Sequence, residues 1–315
     1  MKAALLELFQ MFLLAGLAPL LTGIVRTVKA RLTGRIGPDL RQPYRDLLRL
    51  LRKEVVLAPN ASWFFRVSPY LVFAAVWLAA AIVPTFATGL LLEQTADLIA
   101  LIALLGTARF ALALAGMDVG TSFGGIGASR EMMIASLAEP AMLMVTFTVA
   151  LIVRSTSLPH IAEFLLTHDV GIRISLLLGL ISLVMVAIAE NARIPIDNPA
   201  THLELTMVHE AMVLEYSGRH LALVEWASML KLLLYISLIG AVFAPWGLAI
   251  GPLTAAGFAI GLGSYVAKLA IGAVVLAVFE TSIAKMRVFR VAEFLGGALL
   301  LGLLAAIFLY VSQGL

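Results

Sequence analysis

The sequence predicts an all-α polytopic membrane protein with about eight transmembrane helices and short amphipathic helices at one surface. Two observations carry this. The chain is 62% hydrophobic and 13% charged, where soluble domains average roughly 25% charged. Several apolar runs reach about 20 residues, enough for a helix to cross ~30 Å of hydrocarbon. These runs are apolar all round, not on one face, which excludes a soluble protein with a large core. They are also continuous, without the alternation that a β-barrel requires. The chain has no cysteine, which excludes disulfides, thiolate metal sites and cysteine-ligated iron–sulfur clusters within it.

Hydropathy places the spans at about 3–25, 67–91, 95–116, 133–153, 172–190, 226–246, 255–279 and 291–312, forming one membrane domain over 1–315. The first is too long and too charged (Glu7, then a dense basic stretch) to be a cleavable signal. Arg109 interrupts the third. The connections at about 26–66, 117–132, 191–225 and 280–290 carry about 16 of the lysines and arginines, and the alternate connections about 2. The positive-inside rule puts the basic set in the cytoplasm and both termini outside.

Within the first connection, Arg35-Ile36-Gly37-Pro38-Asp39 reads as a turn. After Pro43, an apolar stripe of Leu47, Leu48, Leu50, Leu51 and Val55 runs among Arg45, Arg49, Arg52 and Lys53. That pattern is a short amphipathic helix suited to the bilayer surface. It serves as a headgroup anchor, as a roof over a chamber entrance or docking site, or as both.

The third connection holds five glycines within Gly116–Gly127, which argues for an irregular, close-packed segment instead of a helix. It has no P-loop pattern and no preceding strand, so phosphate binding is rejected. Glu139 follows near hydrocarbon depth, where carboxylates are functional or pair with an arginine such as Arg130 or Arg109. The fourth connection, with His160, Glu163, His168 and Asp169, reads as an ordinary solvated loop.

The richest stretch is Glu190–Gly218, with five carboxylates (Glu190, Asp197, Glu204, Glu210, Glu215), His202, His209 and Arg193. Pro195 and Pro199 end the fifth span, and Asn198-Pro199 is a good helix start. A helix over Pro199–Glu215 places Glu204 and Glu215 on one face and His202, Thr206, His209 and Glu210 roughly opposite, at ~100° per residue. His202 and His209 lie too far apart for an adjacent metal pair, and no metal site is expected. Clustered carboxylates that cannot all ionise in a low dielectric hold protons, as a relay requires. Lys268, mid-span, is a relay or ion-pair residue that a neighbouring carboxylate can switch, and Glu280 ends the same span. Lys231 reads as snorkelling to the cytoplasmic interface.

Five segments together, in order, resemble one family: the membrane subunit of respiratory complex I that meets the peripheral arm, with its counterpart in energy-converting nickel–iron hydrogenases and formate hydrogenlyases. They are Arg35–Pro38 with Asp46 and Lys53-Glu54; Gly127–Arg130 with Glu139; Ala189–Asn191 with Arg193, Pro195 and Asp197; Glu215–Gly218; and Lys268. Glu280 and Lys285–Phe289 depart from the complex I pattern of arginines, and His202 stands where a carboxylate is usual. These departures resemble the hydrogenase-4 and formate hydrogenlyase branch.

The resemblance implies an eight-helix subunit anchoring a hydrophilic redox arm, with no complete active site of its own. It implies partner subunits with iron–sulfur clusters and a Ni–Fe centre: hydrogenase-like large and small subunits, a ferredoxin-like subunit and antiporter-like membrane subunits. No nucleic-acid partner is expected. Glu139, Glu190, Glu204 and Glu215 would carry protons, joined by Glu210, Lys268 and Glu280, while Arg35, Asp46, Arg130, Arg193 and Asp197 would shape the loops at the arm. The rival readings are a quinone-site subunit of complex I, a stand-alone ion transporter and a purely structural anchor.

Overall fold

A computed structural model describes residues 2–168, 173–197, 207–251, 254–287 and 290–314. Among these residues all regular structure is helical, apart from two isolated backbone bridges. Seven helices are long and apolar enough to cross a membrane: α1 (Lys2–Leu32), α3 (Trp63–Ala81), α4 (Leu98–Asp118), α5 (Ser122–Val153), α9 (Gly218–Val242), α10 (Ala255–Ser282) and α11 (Val291–Gly314). An eighth, α7 (Ile174–Glu190), is apolar but 17 residues long, about 25 Å at 1.5 Å per residue. The chain is thus an all-α polytopic membrane protein. Short helices α2 (Gln42–Leu51), α6 (Leu158–Thr167) and α8 (His209–Val213) lie in the connections.

Side-chain caps set several helix starts. Ser62 accepts from Phe64 N–H, Asp97 from Ile99 N–H, Thr121 from Gly124 N–H and Thr254 from Gly257 N–H, each satisfying a donor that the first turn leaves open. Lys29 and Arg31 end α1, where positive charge suits the helix dipole.

α3 stops at Ala81, ten residues short of the expected span. Pro84 lacks an N–H and disfavours helix at the residue before it. The Ala81 and Val83 carbonyls left over are taken by the buried Gln10 side chain. The chain then runs to α4 through one 3₁₀ turn, Leu91–Thr95. This connection is stitched to its neighbours by backbone bonds: Thr88 N–H to Ala249, Ala249 N–H to Phe86, Leu98 N–H to Thr156 and Leu158 N–H to Ala96. The fourth connection is likewise not a simple solvated loop. It contains α6, which buries Leu158, Pro159, Ile161 and Ala162.

The glycine-rich segment is also a correction. Only Gly120, at φ +72, forms a turn, and α5 begins at Ser122 and runs through Gly124, Gly125 and Gly127. Close packing outweighs the helix cost of glycine here. A Cβ on Gly124 would meet the Gly116 carbonyl, and one on Gly127 would lie 2.9 Å from Met212 and the Val208 carbonyl.

α2 forms as the stripe predicts. It lies against α9 and α1, burying Pro43 and Leu47 while Leu48 and Leu51 stay exposed. The expected helix over Pro199–Glu215 falls partly outside the described residues. Its described part is the short α8, and Glu215 lies beyond it.

Candidate functional site

Arg109 is the centre of the site. It sits on α4, nine residues before the helix end, or about 13 Å of helix rise, and is 7% exposed. Three carboxylates from two other helices surround it. Its Nη1 donates to Glu139 Oε1 at 3.0 Å, its Nη2 contacts Glu190 Oε1 directly, and its Nε stands 3.6 Å from Glu131 Oε1. Lys231 of α9 approaches the second Glu190 oxygen at 3.8 Å. Arg109, Glu131 and Glu190 are buried, and Lys231 nearly so, but the Glu139 side chain is 41% exposed.

The guanidinium fork explains why arginine stands here: it offers donors in several directions, which one ammonium cannot. Formally, three carboxylates and two cations sum to −1, so one proton neutralises the cluster. Glu139 alone brings the cluster to the surface of the chain.

Glu131 and Lys231 were not legible as members. Ser129-Arg130-Glu131 read as the beginning of the fourth span, with irregular chain before it; a helix beginning at Ser122 places Glu131 two turns before Glu139 on a buried face. Lys231 read as a snorkelling residue, but it turns inward to Glu190. The clue was Arg109 itself, a charge inside an apolar span.

Glu280 belongs to a second network. It is 4% exposed and bridges Lys29 of α1 at 2.9 Å and Arg193 at 3.5 Å. Burial pulls the Arg193 basicity down, and the Glu280 charge pulls it back up. Glu280 is thus paired with α1 and the loop after α7, and no ion pair joins it to Lys268 among the described residues. Lys268 is half-buried and lines a separate cavity with Ser237 and Tyr265.

The loops expected at the arm are pinned by the predicted residues. Asp197 is buried, pairs with Lys285 at 3.1 Å and accepts from Val208 N–H at 3.2 Å. Arg130 donates to the Met207 carbonyl at 2.8 Å. Asp46 accepts from Gln42 and Arg49 within α2, and Arg35 is exposed. Glu204 and His202 lie outside the described residues. Glu210 is half-buried, and Glu215 is exposed, apart from the Arg109 cluster.

Glu215–Gly218 instead forms a lock. Tyr216 stacks on Phe65 at 4.1 Å and donates to its carbonyl; burial pushes its hydroxyl pKa up. Ser217 exchanges hydrogen bonds with the Val56 backbone. Gly218, at φ +54, lies so close to the Glu54 carbonyl that a Cβ would stand 2.5 Å away. His209 is held neutral, its pKa lowered to about 3 by burial first and then by the Lys231 and Arg109 charges.

The residues here do not suit a resident metal cluster. The chain has no thiol, and the described residues contain no group of three or more His, Asp or Glu placed to hold an ion.

Comparison with known proteins agrees with this architecture. The family model described as NADH dehydrogenase matches residues 5–311. The chain belongs to that family. Within it, the chain is 35% identical over 285 residues to formate hydrogenlyase subunit 4 of Escherichia coli K12, covering 90% of this chain and 92% of that one. It is 35% identical over 242 residues to hydrogenase-4 component C of the same organism, covering 77% and 76%. The likeness to an NADH-quinone oxidoreductase subunit of Burkholderia vietnamiensis is weaker, 27% over 220 residues, covering 66% and 61%. A solved chain from the membrane-bound sulfane sulfur reductase, an archaeal respiratory membrane complex, superposes with a TM-score of 0.82 at 21% identity, covering 98% of this chain and all of that one. It shares the fold. The chain is a complex I-like membrane subunit.

Proposed function

We propose that this chain is the integral membrane subunit of an energy-converting hydrogenase or formate hydrogenlyase-type complex. It anchors the redox arm and couples electron transfer to translocation of protons or sodium ions through buried carboxylates. The carrying observation is the Arg109 cluster, in which side chains from four helices share a formal charge of −1 and reach the surface only through Glu139. Coupling needs two protonation states that a partner can bias. A redox event on the arm side, where Arg193, Asp197 and Lys285 pin the loops, biases Glu190; Glu139 passes the change to an adjoining membrane subunit.

The resemblances to formate hydrogenlyase subunit 4 and hydrogenase-4 component C support this branch. The partners are hydrogenase-like large and small subunits, a ferredoxin-like subunit and antiporter-like membrane subunits; iron–sulfur clusters and the Ni–Fe centre reside in the former. The strongly basic connections face the cytoplasm of a bacterial or archaeal cell, and both termini lie outside.

The test is native purification through a tag on this chain, followed by metal and cofactor analysis. Nickel with iron–sulfur clusters is expected. Flavin and quinone without nickel would overturn the hydrogenase assignment, and a chain that purifies alone would overturn the subunit assignment.

A further inference from the structure

Two small cavities lie near the start of α1, at the opposite end of the bundle from the Glu280 network. The first is lined by Glu7 and Gln10 and rimmed by Gly89, Leu90 and Glu93 of the α3–α4 connection. The second is lined by Thr85, Ser237, Tyr265 and Lys268. Each offers about 10 Å³ to the centre of a water molecule, room for about one water. Pro84 borders both.

Glu7 is 3% exposed. Its Oε2 accepts from Leu92 N–H at 3.4 Å, while its Oε1 is buried without a protein partner. A buried carboxylate keeps an open oxygen only where a proton or a water completes it. Here that oxygen belongs to a residue lining a one-water cavity whose rim contains the exposed Gly89. Glu93, from the 3₁₀ turn, is the other titratable residue in that lining; α3 and α6 supply none to it. Lys268 of α10 faces the second cavity.

Gln10 stands between the two. Its Nε2 donates to Ala81 O at 2.7 Å and Val83 O at 3.2 Å, and its Oε1 accepts from Thr85 Oγ1 at 2.9 Å. Both amide hydrogens are held on backbone carbonyls, and a neutral amide has no acidic proton to hand on. The bridge therefore insulates one cavity from the other. Beyond it, Ser237 donates to Leu233 O, so the Tyr265 hydroxyl donates to Ser237 at 2.8 Å.

We infer that Glu7 is a proton-binding site open to the membrane face on which the N-terminus lies, and that the Gln10–Thr85 bridge closes it off from the Lys268 cavity. This site is separate from the Arg109 cluster and uses different helices. It rests neither on the proposed orientation of the chain nor on the identity of the redox partners.

The experiment uses the intact complex in sealed vesicles. Dicyclohexylcarbodiimide modifies protonated buried carboxyls, and Glu7 is the only carboxylate in the tryptic peptide from Ala3 to Arg26. Modification of that peptide is expected to follow the pH on the N-terminal side alone, falling about tenfold per pH unit above the midpoint of the site. Modification that ignores that pH, or follows the pH of the other side, overturns the site. Gln94→Cys, at an exposed position, reports the orientation independently by reaction with an impermeant maleimide. If that cysteine reacts from the cytoplasmic side and Glu7 follows cytoplasmic pH, the site stands and the orientation falls. For the closure, Lys268→Cys is expected to react several-fold faster with a small methanethiosulfonate from the N-terminal side when Gln10→Ala is also present. Ser237→Cys, on the same cavity, replaces it if assembly fails. Equal rates with and without Gln10→Ala overturn the closure.

Discussion

Arg109→Met removes the cation on which three carboxylates converge. Working from the contacts, two charged hydrogen bonds are lost, to Glu139 and Glu190, each worth about 1.5–3 kcal/mol. The carboxylates left behind then carry a formal −3 against +1 from Lys231. Breaking a buried ion pair from one side costs about 3–5 kcal/mol, and that is the expected destabilisation. Glu190→Gln alone keeps a hydrogen-bond acceptor for the guanidinium and should cost less. Placed in the Arg109→Met background, it relieves the stranded charge, so the double variant should be less destabilised than the sum of the singles by about 1–3 kcal/mol. The cycle is measured by unfolding the four purified proteins in mixed micelles of rising dodecyl sulfate, read from a fluorescent tag on this chain. Effects that add within about 0.5 kcal/mol would mean that Arg109 and Glu190 are not coupled. Wild-type stability in Arg109→Lys would equally refute the multidentate argument, because a lysine cannot reach all three carboxylates.

Lys231→Gln takes the cluster from −1 to −2 and is expected to abolish ion translocation by the complex while assembly persists; Lys231→Arg should retain part of it, whereas a snorkelling lysine would tolerate both in vesicle transport assays. Glu280→Ala removes the carboxylate from the half-buried Arg193 and from Lys29, which can rehydrate, so a loss of about 1–3 kcal/mol is expected, seen as faster proteolysis in the 283–287 connection; unchanged cleavage would count against the bridge. Neutral His209 binds its proton near pH 3 when folded and near 6.5 when unfolded, so the unfolded segment binds more protons between those values. Its contribution to stability is therefore fully present above pH 6.5 and falls as pH drops toward 3, by at most about 1.4 kcal/mol per pH unit. The protection of 207–217 against hydrogen exchange, taken relative to the intrinsic amide rate at each pH, should fall on acidification in the wild type and less so in His209→Gln. Gly127→Val drives a side chain into Met212 and the Val208 carbonyl and should loosen α8, reported by the same exchange measurement.

Several site residues were legible because an ionisable group within or beside an apolar run is costly and therefore informative. Glu139 and Glu190 stood out for that reason, and both meet Arg109. Glu280 stood out too, but its partners come from α1 and from the loop after α7, which no spacing rule relates to it. Glu131 was hidden by a boundary error: glycines that read as irregular chain are helical because their missing side chains admit α4 and α8. Lys231 was hidden because periodicity gives the depth of a residue in a span but not the neighbour that it faces. Glu215 lies apart from the Arg109 cluster. Its segment carries a distinctive motif, yet the tyrosine, serine and glycine there make a structural lock, and the carboxylate points to the exposed surface.

Composition and hydropathy by themselves determined the solvent of this protein, the order of its apolar helices and its charge asymmetry, because a lipid environment tolerates few alternatives to continuous apolar helix. The amphipathic α2 was equally local and equally readable. Only the tertiary structure decided which charges meet. Arg109, Glu131, Glu139, Glu190 and Lys231 come from four helices, and their pairing depends on helix rotation and close approach, which are set by packing across the whole bundle and not by any one stretch of chain.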